Sequence, residues 1–151
     1  MNKYLRFGAM IATSTLVMFG LMYLNTYALE HVTFSQTRAW MAVMMGATMA
    51  VVMLAFMLHM YQRKGLNLAI FALGAVLFAA SLWLVRSQNT VGDVSWMKAM
   101  IPHHSIAILT SERALLADPR VRQLANGIIE TQRKEIAEMQ ALIKDLEAQK
   151  R

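Results

Sequence analysis

Between Phe7 and Val85 the chain carries only four charged side chains: Glu30, Arg38, Arg63 and Lys64. That stretch decides the fold class. Over the whole chain 57% of the residues are hydrophobic and the mean hydropathy is +0.40, too apolar for an ordinary soluble domain. The last third is richly charged by contrast. The sequence therefore reads as a membrane part followed by a small polar part, which is too short to bury a large core alone.

Three apolar runs are long enough to cross a bilayer, whose core needs about 20 residues of helix. They cover residues 7–29, 39–61 and 66–85. The rival reading of the first is a cleaved signal peptide, since Lys3 and Arg6 precede it and Thr26-Tyr27-Ala28 resembles a cleavage site. The run exceeds the usual apolar region of about 7–15 residues, which favours a retained helix. Tyr23, Tyr27, Trp40, Tyr61 and Trp83 fall near the ends of the runs, where amphipathic rings favour the headgroup level. Lys3 and Arg6 flank the first run, and Arg63 and Lys64 lie between the second and third. The positive-inside rule places both pairs in the cytoplasm. Residues from about Arg86 onward then lie outside, in the periplasm of a bacterium with the spans in its inner membrane.

The net charge of +6 raises nucleic acid as a partner, but its placement argues against one. Four of the excess cations lie in two membrane flanks, and from Ser87 onward acids and bases nearly balance. This is a topology signal and not a phosphate-binding surface. The partners expected are the lipid bilayer and a metal ion. No cysteine is present, so any soft-metal site must use methionine and histidine.

The second run holds Met41, Met44, Met45, Met49, Met53, Met57 and Met60. Five of these form an M-x-x-x-M series that winds around a helix, because each step advances about 40° past a full turn. Thioethers suit Cu(I), and the pattern is similar to that of the three-span copper transporters of eukaryotes. The G-x-x-x-G of their third span is missing, and the orientation expected here is reversed. Methionine is also a flexible apolar filler, which accounts for the same residues without a metal. Ala42, Gly46 and Ala50 make a small-x-x-x-small ridge that predicts close packing against a neighbouring span.

After the polar linker 87–92 comes the segment Trp96–Ser111, WMKAMIPHHSIAILTS. On a helix Met97, Met100 and His104 share one face and His103 lies beside it. Pro102 removes one backbone bond, which kinks the helix or starts a new one. Imidazole binds several transition metals, and neighbouring thioethers bias a site toward Cu(I) or Ag(I). The same residues can instead be core methionines and bridging histidines. Asp118-Pro119 then predicts a helix start, with Asp as N-cap and Pro in the first turn. The stripe Val121, Leu124, Ile128, Gln132, Glu135, Met139, Leu142, Leu146 predicts the buried seam of that helix, antiparallel to the previous one. Gln132 and Glu135 interrupt the seam. Either they meet the histidines opposite, or Glu135 sits at the edge and pairs with exposed cations.

Met-Ile-Pro-His-His at Met100–His104, Ala107, and Gln-x-x-Glu-Ile-x-x-Met at Gln132–Met139 together resemble the family called domain of unknown function 305 (DUF305), over about residues 93–146. The three preceding spans resemble a membrane-anchored branch of it. The resemblance implies a ferritin-like helical bundle, often periplasmic, with copper or silver binding in several members. By matching positions it implies a site of Met100, His103, His104, Glu135 and Met139, to which the helix face adds Met97. Two positions depart from the family's pattern: Thr110 stands where a methionine is common, and Leu142 where a tryptophan is.

The expected architecture is all-α: a membrane domain of residues 1–86, then a two-helix antiparallel hairpin of residues 93–151, half of a ferritin-like bundle. A homodimer through the hairpins would complete four helices. No Ser/His/Asp signature, phosphate-binding glycine loop or Glu-x-x-His occurs, so no catalytic residue is assigned and an enzyme is not expected. The expected function is capture or buffering of Cu(I) or Ag(I). The alternatives are a non-catalytic adaptor whose hairpin binds another protein, and copper transport along the methionine-rich span.

Overall fold

The computed structural model describes residues 2–149, and these are entirely helical apart from turns and loops. Five α-helices follow in order: α1 (Lys3–Leu21), α2 (Gln36–Phe56), α3 (Lys64–Ser87), α4 (Asp93–Arg113) and α5 (Pro119–Ala148). Single 3-10 turns lie at Leu29–His31 and Leu58–Met60. The helices α1, α2 and α3 are long and apolar enough to cross a membrane. The chain forms two compact units, Met1–Met22 with Thr37–Thr90, and Tyr23–Gln36 with Val91–Arg151.

The first unit, which holds the three candidate spans, packs on small residues. Gly46 is buried, and a Cβ there would collide with the Thr15 side chain of α1. A Cβ on Gly74 of α3 would lie 2.5 Å from Val51 Cγ2 of α2. Close approach at both points favours glycine, in line with the small-residue ridge expected from the sequence. Towards the α1 start, Phe7, Leu54 and Tyr61 are buried, with Met53 and Met57 packed against them. The α2 methionines are spread around the helix, from Met41 at 38% exposed to half-buried Met49. Gln88 ends α3 in the left-handed conformation (φ 54°). Its side chain compensates by donating to the Val85 carbonyl at 2.6 Å.

The first apolar run extends to Leu29, but α1 stops at Leu21. Residues 23–36 leave the first unit and pack with α4 and α5. Polar residues such as Thr26, whose hydroxyl bonds the Tyr23 carbonyl at 2.9 Å, turn the backbone there.

The second unit is built on the α4–α5 hairpin. Asp118 caps α5, accepting the Arg120 N–H at 2.8 Å, and Pro119 sits in the first turn. Lys98 Nζ pairs with Glu147 at 2.6 Å. Arg133 pairs with Glu112 at 3.0 Å. The start of α4 thus lies beside the end of α5, and the two run antiparallel. Met97, Ile101 and Ile108 of α4 pack on Ile136, Met139 and Ile143 of α5. Ile101 and Ile108 are fully buried, each worth about 2 kcal/mol of transfer free energy.

The seam of α5 keeps Met139 and Leu146 of the stripe predicted above, but elsewhere it lies one residue along. Ala125, Ile136, Met139 and Ile143 are buried, while Val121, Leu124 and Leu142 remain 47%, 65% and 45% exposed. Two overlapping apolar stripes share this helix, and only one faces α4. Pro102 does not break α4, which is one helix on either side of it.

Candidate functional site

His104 sits near the middle of α4, its side chain 13% exposed. Its Nδ1 lies 3.0 Å from the Met100 carbonyl oxygen one turn back. Its Nε2 lies 2.9 Å from Glu135 Oε2 on α5. Gln132 Nε2 donates to the same carboxylate oxygen at 3.4 Å. Both ring nitrogens therefore face oxygen acceptors. A neutral imidazole has one N–H, so one nitrogen would present a lone pair to an oxygen. Which ring nitrogen carries the N–H depends on the tautomer.

The other predicted site residues divide into three groups. Met97 and Met139 are buried in the hairpin core, and Met100 packs against it. All three belong to the α4–α5 packing that the His104–Glu135 pair also bridges. His103 is exposed. Its ring centroid is 6.5 Å from that of His104 with the planes 65° apart, as expected for neighbours about 100° apart around a helix. It does not join the pair.

Among the described residues no three His, Asp or Glu side chains are grouped to hold a metal ion. A cation at His104 and Glu135 would have to take further donors from methionine. That donor set fits a soft monovalent ion and is poor for zinc or iron, which favour nitrogen, oxygen or thiolate.

A second polar set was not foreseen. Ser105 is fully buried beside His104 in sequence. Its Oγ accepts the Tyr27 N–H at 2.7 Å and lies 2.9 Å from Nδ1 of His31, itself 8% exposed. Thr33 Oγ1 donates to the Lys98 carbonyl at 2.6 Å. Arg133 bonds Glu112 and also reaches the Tyr27 hydroxyl at 3.4 Å, with its guanidinium 5.7 Å from the Tyr27 ring centroid. The segment 23–36 is thus fastened to both helices of the hairpin. The sequence signal there is the polar stretch 30–38, EHVTFSQTR, which supplies His31 and Thr33. At the hairpin turn, the Arg120 side chain and backbone N–H hold the Asp118 carboxyl below the ordinary carboxylate range.

Residues 84–151 match the model of the family described as Domain of unknown function (DUF305). The match contains α4, α5 and all six predicted site residues, and it leaves out the segment 23–36. An uncharacterized protein of Acanthamoeba polyphaga mimivirus is 37% identical over 70 residues, which cover 45% of this chain and 46% of the viral protein. The chain thus spans about half the length of the curated relative it matches. No solved structure matches.

Proposed function

We propose that this is a non-catalytic, membrane-anchored protein that captures or buffers Cu(I) or Ag(I) on the periplasmic face of a bacterial inner membrane. The observation that carries the reading is the His104–Glu135 pair at 2.9 Å across a seam lined by Met97, Met100 and Met139. In this reading His104 supplies the nitrogen donor and the methionines supply thioethers. Glu135 contributes negative charge and holds the ring. Bound there, the ion would be kept in a soft-donor site.

The anchoring reading is supported from within the second unit. Segment 23–36 follows one candidate span and residues 91–149 follow three. A chain that crosses the bilayer three times puts both on the same side, and they pack together through Ser105 and Lys98. The periplasmic assignment rests on the cations Lys3, Arg6, Arg63 and Lys64.

A second reading has its own observation. Val121, Leu124 and Leu142 expose the unused apolar stripe of α5. A hairpin that docks on a second copy, or on another protein, would cover it.

The test is titration of the detergent-purified full-length protein with Cu(I) and with Ag(I). One tightly bound ion per chain is expected. Loss of binding on replacing the α2 methionines, with His104 intact, would move the site into the membrane and favour transport. Binding of neither ion would leave the docking reading.

A further inference from the structure

All of the chain's net positive charge belongs to the first unit. Lys3, Arg6, Arg38, Arg63, Lys64 and Arg86 lie in it, and none of the chain's 9 acidic residues does. Four of these cations gather at one end, held there by a built contact. The Tyr4 hydroxyl accepts the Arg63 N–H at 3.0 Å and donates to Asn67 Oδ1 at 2.9 Å. The Asn67 amide donates to the Tyr61 carbonyl at 2.7 Å, and Asn67 is buried. The start of α1, with Lys3 and Arg6, is therefore tied to the turn that carries Arg63 and Lys64. All four side chains are exposed. Among the described residues none of the four takes part in an ion pair.

An apolar groove of about 580 Å³ begins at the same place. Tyr4 and Phe7 form its mouth, and it ends among Leu16, Val43 and Leu77. From Tyr4 to Leu16 the rise along a helix is about 18 Å. That is close to the depth of one leaflet's hydrocarbon, half of a core of about 30 Å. Gly8 opens one wall, since a Cβ there would meet nothing within 4 Å.

We propose that this groove holds an acyl chain of one anionic phospholipid, whose phosphate headgroup lies among Lys3, Arg6, Arg63 and Lys64. The groove gives the length and the apolar lining, and the mouth gives the charge. A zwitterionic lipid brings no net charge to cations that have no acid of their own unit to meet. A helix from a second copy would bring more cations to the same place. Juxtamembrane Lys and Arg attract anionic headgroups, and basic sites between spans select them.

The experiment is native mass spectrometry of the full-length protein. It is equilibrated in detergent with equimolar phosphatidylglycerol and phosphatidylcholine of identical acyl chains. One retained phosphatidylglycerol is expected, with a preference of about tenfold or more. Combined Lys3→Gln, Arg6→Gln, Arg63→Gln and Lys64→Gln should bring the preference near parity. Gly8→Leu should remove the adduct while helix content by circular dichroism stays unchanged. If that variant does not fold, Ala12→Leu on the same groove wall serves instead. Equal retention of the two lipids by the wild type overturns the proposal, as does a preference that survives loss of the four charges. Retention by a folded, groove-filled variant would mean attraction at the surface only and would equally overturn it.

Discussion

The Thr33 hydroxyl donates to the Lys98 carbonyl at 2.6 Å, and Lys98 is the residue whose carbonyl Pro102 leaves without its helical partner. In a regular helix that carbonyl would accept the N–H of residue 102. Proline has none, and its ring pushes the carbonyl outward. A proline inside α4 thus creates an acceptor that a loop some 65 residues earlier in the chain satisfies. Thr33→Val should lower the stability of this unit by about 1–2 kcal/mol, because the carbonyl is then unpaired. In a Pro102→Ala background the alanine N–H can take over, and the same substitution should cost much less. A double-mutant cycle on full-length protein, followed by chemical unfolding, reads the coupling. Additive effects would show that the two features are unrelated.

Ser105 extends the same fastening about two turns further along α4. It is fully buried and answers both the Tyr27 N–H and the His31 ring. Ser105→Ala removes the shared partner of the part-buried Tyr27 N–H and the buried His31 ring. The expected loss is about 1–3 kcal/mol. Hydrogen exchange at the Tyr27 amide should quicken while the amides of α5 stay protected. Unchanged Tyr27 exchange would mean that the loop is held by other contacts.

The two adjacent histidines separate the metal reading from a generic surface effect. His104→Ala should abolish Cu(I) and Ag(I) binding, and His103→Ala should change affinity by less than about threefold, since that ring lies outside the pair. Met100→Leu and Met139→Leu keep apolar volume and should cost under about 1.5 kcal/mol of stability. They should nevertheless weaken Cu(I), because the thioether is gone. Equal titrations for wild type and His104→Ala would remove the site.

Several of these features were legible in the sequence, and the failures have definite causes. The three spans show themselves as apolar runs because lipid-facing helices need no periodicity. Their ends do not, since α1 stops at Leu21 for the sake of contacts with Ser105 and Lys98, far along the chain. The His104–Glu135 pair could be anticipated because polar residues interrupt apolar faces on two helices joined by a short Asp-Pro turn. The helical face that His104 shares with Met97 and Met100 also pointed to His104 over His103. The α5 seam, by contrast, is displaced. Leu124, Ile128 and Leu142 make as good a stripe as Ala125, Ile129 and Ile143, and only the facing α4 decides between them.

The glycines of the first unit carry a prediction of their own. Gly46 meets Thr15 of α1, and Gly74 meets Val51 of α2. Gly46→Val and Gly74→Val each force helices apart and should cost about 1–3 kcal/mol by overpacking. Gly20→Val, where a Cβ would meet nothing within 4 Å, is the control. Thermal unfolding in detergent should rank the first two well below the third. Similar midpoints for all three would mean that α1, α2 and α3 do not need that close approach.

The pH dependence of the hairpin turn follows from Asp118. Its carboxyl accepts the Arg120 N–H at 2.8 Å and faces the Arg120 guanidinium at 2.7 Å. These bonds favour the ionised form and hold the carboxyl below its ordinary value. A group depressed in the folded state adds stability that is fully present above its unfolded value and is lost as pH falls through its folded value. Asn also caps helices well, so Asp118→Asn removes the charge and keeps the cap. The wild type should therefore be the more stable of the two at neutral pH. The gap should narrow below the ordinary carboxylate range and close once Asp118 is protonated. Because the residue lies at an exposed turn, high salt should shrink the difference at neutral pH as well. Paired thermal unfolding of the two proteins across pH tests this, and a gap that does not change with pH would show that the Asp118 charge is not its source.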